Sequence, residues 1–327
     1  MVHGRSPRAR KRICPDRLTR EPTMDRRNFI AASLAAAAPL SAANKIGWPR
    51  ISVLTDEVAK SPEEALEFCR HYALKWVELR GVPGQRRSYF TLQGAELASA
   101  VKSFKDAGLK ISFLNTGMLK FDLPGTVPAR RRVETEEQKA ARTAAAQALF
   151  DRRMETLQQA IRAAHAFDVD IIRVFTFTRV AEPEAVMQRI AGILGEMVEA
   201  AGKEGVKLLV ENEASCNVGT SAELVSICRL VKSNRFGINW DPVNELPLKA
   251  VPYPDGLKLL PMDRLLNVQM KARALVVGPD FLDWKGIFGA LETAGYRGQV
   301  GLETHVFDGT LIEKAHMSMA RIREIVA

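Results

Sequence analysis

Eight short β-rich runs, each separated from the next by a stretch with helical apolar spacing, constrain this chain more than any other feature in it. They are "ISVLTDEV" from residue 51, "KWVELRGV" from 75, "KISFLNTGM" from 110, "DIIRVFTFT" from 170, "KLLVENEA" from 207, "FGINWDP" from 236, "LLNVQMKA" from 265 and "QVGLETHV" from 299. Strands alternating with helices make βα units and a parallel sheet. Ser61-Pro62-Glu63-Glu64 and Thr220-Ser221-Ala222-Glu223 read as capping boxes, the first with proline at the opening helical position. Phe150, Met154, Leu157, Ile161 and Ala164 recur at helical spacing, as do Val186, Ile190, Leu194, Met197 and Ala201. Gly108, Gly205 and Gly295 stand where a helix has to end before the next strand. Eight such units over residues 51–327 predict an α/β fold, a single (β/α)8 TIM barrel, for which roughly 250 residues is usual. The rival is a doubly wound open sheet, but no GxGxxG or phosphate-binding loop opens a helix. Residues 119–146 form an insertion after the third strand, expected to be a solvated helix or a flap.

The formal charge of +9 on 327 residues is a nucleic-acid signal only until it is located. Residues 1–50 hold 11 Lys/Arg against 3 Asp/Glu, a surplus of +8, so the remainder is near neutral and has no footprint for a phosphate polymer. Asp25-Arg26-Arg27-Asn28-Phe29-Ile30 followed by "AASLAAAAPLSAA" reads as a charged region, a short apolar region and a small-residue cleavage region. Residues 1–43 are therefore expected to be a leader with a twin-arginine-type signal peptide, with Met24 as an alternative start. That reading implies export machinery as a partner and a periplasmic or extracellular destination. The three cysteines outside the leader, Cys69, Cys216 and Cys228, have no paired close spacing, which argues against a disulfide framework or a thiolate zinc site.

In a barrel of this kind the chemistry sits at the C-terminal strand ends. The fifth strand ends "VENEA", the sixth "NWDP", the seventh "VQMKA" and the eighth "LETHV". Residues two apart on a strand share a face, so Glu211 with Glu213, Gln269 with Lys271, and Glu303 with His305 each put two polar groups on one face. If Glu211, Asp241 and Glu303 converge, each like-charged pair at about 4 Å costs about 4 kcal/mol at an effective dielectric near 20. Either a proton or a cation must then neutralise them. Three carboxylates with the Gln269 amide oxygen form an all-oxygen set suited to Mn²⁺ or Mg²⁺, with Co²⁺ or Zn²⁺ as alternatives.

The motifs "SVLTDEV", "KWVELRGV", "IIRVFTF", "VENEA", "NWDPVN", "VPYPDG" and "LETH" occur in order along the chain. Together they resemble the sugar phosphate isomerase/epimerase group of xylose isomerase-like barrels, over residues 51–327. The resemblance implies a divalent metal on Glu211, Asp241 and Glu303 with a fourth ligand on the seventh strand. Many relatives carry a pattern similar to H-x-K-D there; this chain has Gln269, Lys271 and, in the place of the acid, Ala272. Asn244 stands where relatives often have histidine.

By the same resemblance Glu211 and Glu303 are the catalytic pair, moving a proton beside a sugar carbonyl through an enediolate. Glu78, Asn115, Arg173, Glu213, Asn244, Lys271 and His305 are candidate contacts to a small sugar or keto-sugar, while Glu78 and Arg173 have the alternative of pairing with each other inside the barrel. Two other readings stay open: a metal-dependent lyase or hydrolase acting on 3-keto glycosides, and a barrel that binds sugar without turnover. Monomer or homo-oligomer is left undecided by the sequence.

Overall fold

The computed structural model describes residues 45–129, 133–276 and 281–327, and the expected leader lies outside them. Its strands are β1 (Ile51–Val53), β2 (Trp76–Leu79), β3 (Lys110–Asn115), β4 (Ile171–Val174), β5 (Lys207–Glu211), β6 (Phe236–Trp240), β7 (Leu265–Lys271) and β8 (Gln299–Glu303). Each lies inside the run predicted for it. They pair in the order β1-β8-β7-β6-β5-β4-β3-β2, and a parallel bridge between Leu54 and Glu78 links the two ends, giving a nearly closed barrel.

Local signals set the helix boundaries. Ser61 Oγ accepts from Glu64 N and opens the helix Pro62–His71, although the Glu64 carboxylate takes Lys60 N and leaves Ser61 N alone. At Thr220 both halves of the capping box form and start the helix Ser221–Leu230. Gly108, Gly205 and Gly295 have φ of 66°, 78° and 78°, the left-handed conformation that ends a helix at little cost only in glycine. The insertion contributes Glu136–Asp151, a helix that buries only Ala146, and Arg152 separates it from Arg153–Ala166. Phe150 therefore belongs to the first of these helices and the other four periodic residues to the second; a one-residue break leaves the apolar phase nearly unchanged, so spacing alone does not reveal it. Cys69, Cys216 and Cys228 are free thiols.

Alternation along the strands separates two interiors. Outward residues such as Val174, Val210, Ile238, Val268 and Leu302 join the helices' Leu157, Ile190, Leu194, Leu224 and Leu291 in one apolar core. The residues alternating with them, Ser52, Glu78, Arg173, Glu211, Asn239, Asn267, Gln269 and Gly301, are absent from that core and line the inside of the barrel. Barrel interiors are ordinarily packed with branched apolar side chains; this one keeps Phe113 and Leu209, which are in phase with Asn115 and Glu211, but is otherwise lined by polar groups. Gly301 makes room for them, because a Cβ there would lie 1.7 Å from Glu78 Oε1. Glu78 is held at both oxygens and cannot step aside, so Gly301→Ala is expected to destabilise the fold by about 2–3 kcal/mol. Urea unfolding of the two proteins measures it, and an unchanged midpoint would refute the close packing.

Candidate active site

The strand ends bring Glu211, Asp241 and Glu303 together, with one carboxylate oxygen from each lying within 4.8 Å of the others. All three are buried. Asp241 shows why an acid precedes a proline here. Its Oδ1 accepts from Val243 N (2.9 Å) and Asn244 N (3.1 Å), capping the 3-10 turn Pro242–Leu248 that has proline at its first position. The cap leaves Oδ2 for the site. Glu211 is held by Arg173 Nη1 (2.6 Å) and Asn239 Nδ2 (2.9 Å) at Oε2 and by Asn244 Nδ2 (3.3 Å) at Oε1. Glu303 takes Arg80 Nη1 at Oε1 (2.7 Å), and its Oε2 is buried without a hydrogen-bond partner.

Lys271 is the cation nearest the middle of the cluster. Its Nζ donates to Asn244 Oδ1, forms an ion pair with Asp241 Oδ2 at 2.9 Å and lies 3.8 Å from Glu303 Oε2. Burial lowers the ammonium's proton affinity, but Asp241, Glu303 and Glu211 outweigh it and hold Lys271 charged. Burial pushes Asp241 up to about 7, against Lys271 and with Glu211 and Glu303. Glu303 goes the other way: Lys271, Arg80 and Arg173 overcome its burial and hold it at about 2. In the Asp241–Lys271 pair the lysine carries its charge, held there by three acids.

The donor set fits a divalent cation in two respects. Glu303 Oε2 is a fully buried oxygen with no hydrogen-bond partner, and Asp241 Oδ2 meets only the Lys271 ammonium. By formal charge, five carboxylates (Asp56, Glu57, Glu211, Asp241, Glu303) face three cations (Arg80, Arg173, Lys271), so two negative charges are left over. Gln269, expected as a ligand, is placed differently. Its Nε2 donates to Glu78 Oε2 at 2.9 Å, and its Oε1 lies 2.9 Å from the Asn267 amide, so the carboxamide is engaged below the acids. The alternative pairing of Glu78 with Arg173 is also not what forms. Arg173 takes Glu211, and Glu78 is held by Ser52 Oγ (2.8 Å) and Gln269.

Glu78 is fully buried, and desolvation pushes its carboxyl up to about 8 from an ordinary 4.5. Between those values the native protein holds a proton that the unfolded chain releases, so stability falls as pH rises through this window, by up to about 1.4 kcal/mol per pH unit. Glu78→Gln, neutral at every pH and able to keep both partners, is expected to flatten that slope and to be more stable than the parent at pH 8. Urea unfolding at pH 5 and pH 8 checks it; a mutant with the parental slope would mean that Glu78 is ionised in the native state.

Of the remaining predicted residues, Asn244 bridges Glu211 and Lys271, and Asn115 is buried beside Arg173 with neither amide atom partnered. Glu213 turns away to an ion pair with Lys120 at 2.9 Å. His305 is exposed, with φ 53°, its backbone N–H donating to Glu57 Oε2. A cavity of about 500 Å³ beside the ends of β7 and β8 is lined by Arg273, His305, Phe307 and Lys314. Arg80 was not anticipated. It joins Asp56, Glu57 and Glu303, and it stands two residues after Glu78, just past the end of β2, so the two-residue step that paired Glu303 with His305 also reaches it. Asn239 and Asn267 are reached from Asp241 and Gln269 by the same step.

Residues 66–324 match the family model described as xylose isomerase-like TIM barrel. No curated protein matches the sequence. Among solved structures, a D-tagatose 3-epimerase-like protein superposes with a TM-score of 0.62 at 15% identity, over 85% of this chain and 97% of that one. The IOLI protein with a binding zinc atom gives a TM-score of 0.62 at 14% identity, over 85% and 98%. A xylose isomerase-like TIM barrel/4-hydroxyphenylpyruvate dioxygenase fusion protein gives 0.59 at 18% identity over 83% of this chain, which spans 42% of its length. At these identities the likeness carries the fold.

Proposed function

Because this chain belongs to the xylose isomerase-like TIM barrel family, we propose that it is a sugar-modifying enzyme of the isomerase or epimerase kind, moving a proton on the carbon beside a carbonyl. The observation that carries this reading is the meeting of Glu211, Asp241 and Glu303 at the barrel mouth, where Glu303 Oε2 is buried without a hydrogen-bond partner and Asp241 Oδ2 meets only the Lys271 ammonium. The epimerase-like protein among the structural neighbours supports the chemistry, and the neighbour with zinc supports a metal. Glu211, Asp241 and Glu303 would hold the cation, which when bound stabilises the oxygen that turns negative as the adjacent carbon loses its proton.

The chain's own side chains do the rest. Lys271 Nζ, beside Asp241 and Glu303, is placed to donate to that same substrate oxygen. Glu303, a ligand of the cation through one oxygen, would receive the proton at the other: Oε2 has no hydrogen-bond partner, and Arg80, which holds Oε1, has Asp56 and Glu57 as alternative partners. With Lys271 and Arg80 facing it Glu303 is a weak base, and it strengthens as the substrate draws Lys271 away. Glu211 and Glu303 acting on the two faces of one carbon give epimerisation; either of them acting with Lys271 or His305 on neighbouring carbons gives aldose–ketose isomerisation. Incubation in heavy water with a panel of ketoses and 3-keto glycosides, with Mn²⁺ or Mg²⁺, is expected to show deuterium entering at one carbon. Release of an aglycone would move the assignment to a lyase, and no exchange with any member would overturn it.

We also infer export by the twin-arginine route from Arg26-Arg27 and the apolar run that follows. A tagged full chain should fractionate outside the cytoplasm and be retained inside when both arginines become lysine.

A further inference from the structure

The acids at the barrel mouth make two ligand groups, and the groups share Glu303. One is Glu211, Asp241 and Glu303. The other is Glu57, Glu303 and His305, whose carboxylate oxygens and imidazole nitrogen also lie within 4.8 Å of one another. Two carboxylates with an imidazole suit a first-row divalent ion such as Mn²⁺ or Zn²⁺. Paired metal ions ordinarily stand roughly 3.5–4 Å apart, close enough for a single carboxylate to serve both. Glu57 and Glu303 are buried, and Glu303 Oε2 has no hydrogen-bond partner, so the shared member keeps an oxygen to offer.

The second group already holds a cation, and that cation is a side chain. Arg80 Nη1 donates to Glu303 Oε1 at 2.7 Å, Nη2 donates to Glu57 Oε1 and Nε donates to Asp56 Oδ2 at 2.9 Å, so the rigid fork turns one nitrogen to each acid. A guanidinium is permanently charged, but it carries one charge where a metal ion carries two. Counted over Asp56, Glu57, Glu211, Asp241 and Glu303 against Arg80, Arg173 and Lys271, two negative charges remain, which one divalent ion at the first group cancels. Without Arg80 the same groups leave three, more than one such ion cancels. The Arg80 side chain is 29% exposed, so the space it fills opens to solvent. Metal ions at both groups would engage both oxygens of Glu303 and leave neither to receive a proton. Arginine answers the acids without that loss, because Asp56 and Glu57 still hold it when its hydrogen bond to Glu303 is given up.

We propose that Arg80 is a tethered cation occupying a second divalent-ion site made by Glu57, Glu303 and His305, and that it limits the mouth to one metal ion per chain. The proposal rests on the metal-dependent isomerase or epimerase reading and adds to it a positioning residue that keeps Glu303 available as the base. The test is the amount of Mn²⁺ bound per chain, by calorimetry and by metal analysis, on the full chain as the parent, as Arg80→Met and as Arg80→Met/His305→Ala. One, two and one ions are expected. Mn²⁺ should also raise the melting temperature of Arg80→Met by more than that of the parent, because an ion in the emptied space restores the charge that Asp56, Glu57 and Glu303 have lost. Should Arg80→Met not fold, Arg80→Met/Asp56→Asn strands one acid fewer and keeps all three ligands; purified with Mn²⁺ it should carry two ions, and His305→Ala is then added in that background. A parent with two ions, or a folded Arg80 variant with no more ions than the parent, overturns the inference. So does an additional ion that survives His305→Ala, and so does failure of both Arg80 variants to fold in the presence of Mn²⁺. The gain of one ion tests Arg80, whereas the parent's own ion tests the metal-dependent reading, and a parent that binds none counts against that reading whatever Arg80 does.

Discussion

Glu303→Gln is expected to lower kcat/KM by at least about 100-fold while the protein stays folded. A positioned general base contributes roughly 10²–10⁴-fold, and Gln keeps an oxygen for Arg80 while abolishing the basic Oε2. Arg80 also retains Asp56 and Glu57, so no buried charge is stranded. Glu211→Gln makes a useful contrast. The Glu211 carboxylate accepts from Arg173, Asn239 and Asn244, and it is the acid that balances Arg173. An amide in its place leaves a buried guanidinium without a counter-charge, which costs several kcal/mol. The two variants should therefore separate: Glu303→Gln inactive at near-parental melting temperature, Glu211→Gln inactive and markedly less stable. Deuterium exchange into substrate and thermal unfolding, measured on both, decide it. Full exchange activity in Glu303→Gln would remove Glu303 from the chemistry.

The second large effect concerns Lys271. Lys271→Met keeps the length of the side chain and deletes the charge that faces Asp241 and Glu303. Breaking a buried pair by removing one partner typically costs about 3–5 kcal/mol, because the other charge stays buried and uncompensated. A divalent cation can take over that balancing role, so Mn²⁺ should raise the melting temperature of the variant by more than it raises that of the parent, and a chelator should reverse the gain. Equal responses to Mn²⁺ in the two proteins would show that Lys271 and the cation do not answer to the same carboxylates.

The architecture was legible because its signals are local and repeated. Eight β-rich runs, two capping boxes and three helix-ending glycines all point to one fold, and the structure places a strand in every run. Site positions were legible to the extent that a polar residue at the end of an apolar strand is conspicuous, which brought out Glu211, Asp241 and Glu303. Side-chain direction was not. Gln269 and Lys271 share a strand face, and nothing in "VQMKA" says that the amide turns to Glu78 while the ammonium reaches the acids. The partner that decides this, Glu78, is 191 residues away in sequence. Arg80 was not legible because the three acids that hold it, Asp56, Glu57 and Glu303, come from opposite ends of the chain.

The hydrogen-bonded line through the barrel, Ser52 to Glu78 to Gln269 to Asn267 to Asn239 to Glu211, has a bearing on how such a protein changes over generations. Each member is donor or acceptor because its neighbour is the reverse, so exchanging any one for an aliphatic residue strands the next. Single steps away from this interior descend into instability, whereas a coordinated exchange of several members can climb out again. Drift at these positions should therefore be correlated, with sites as distant in sequence as Glu78 and Gln269 altering together or hardly at all.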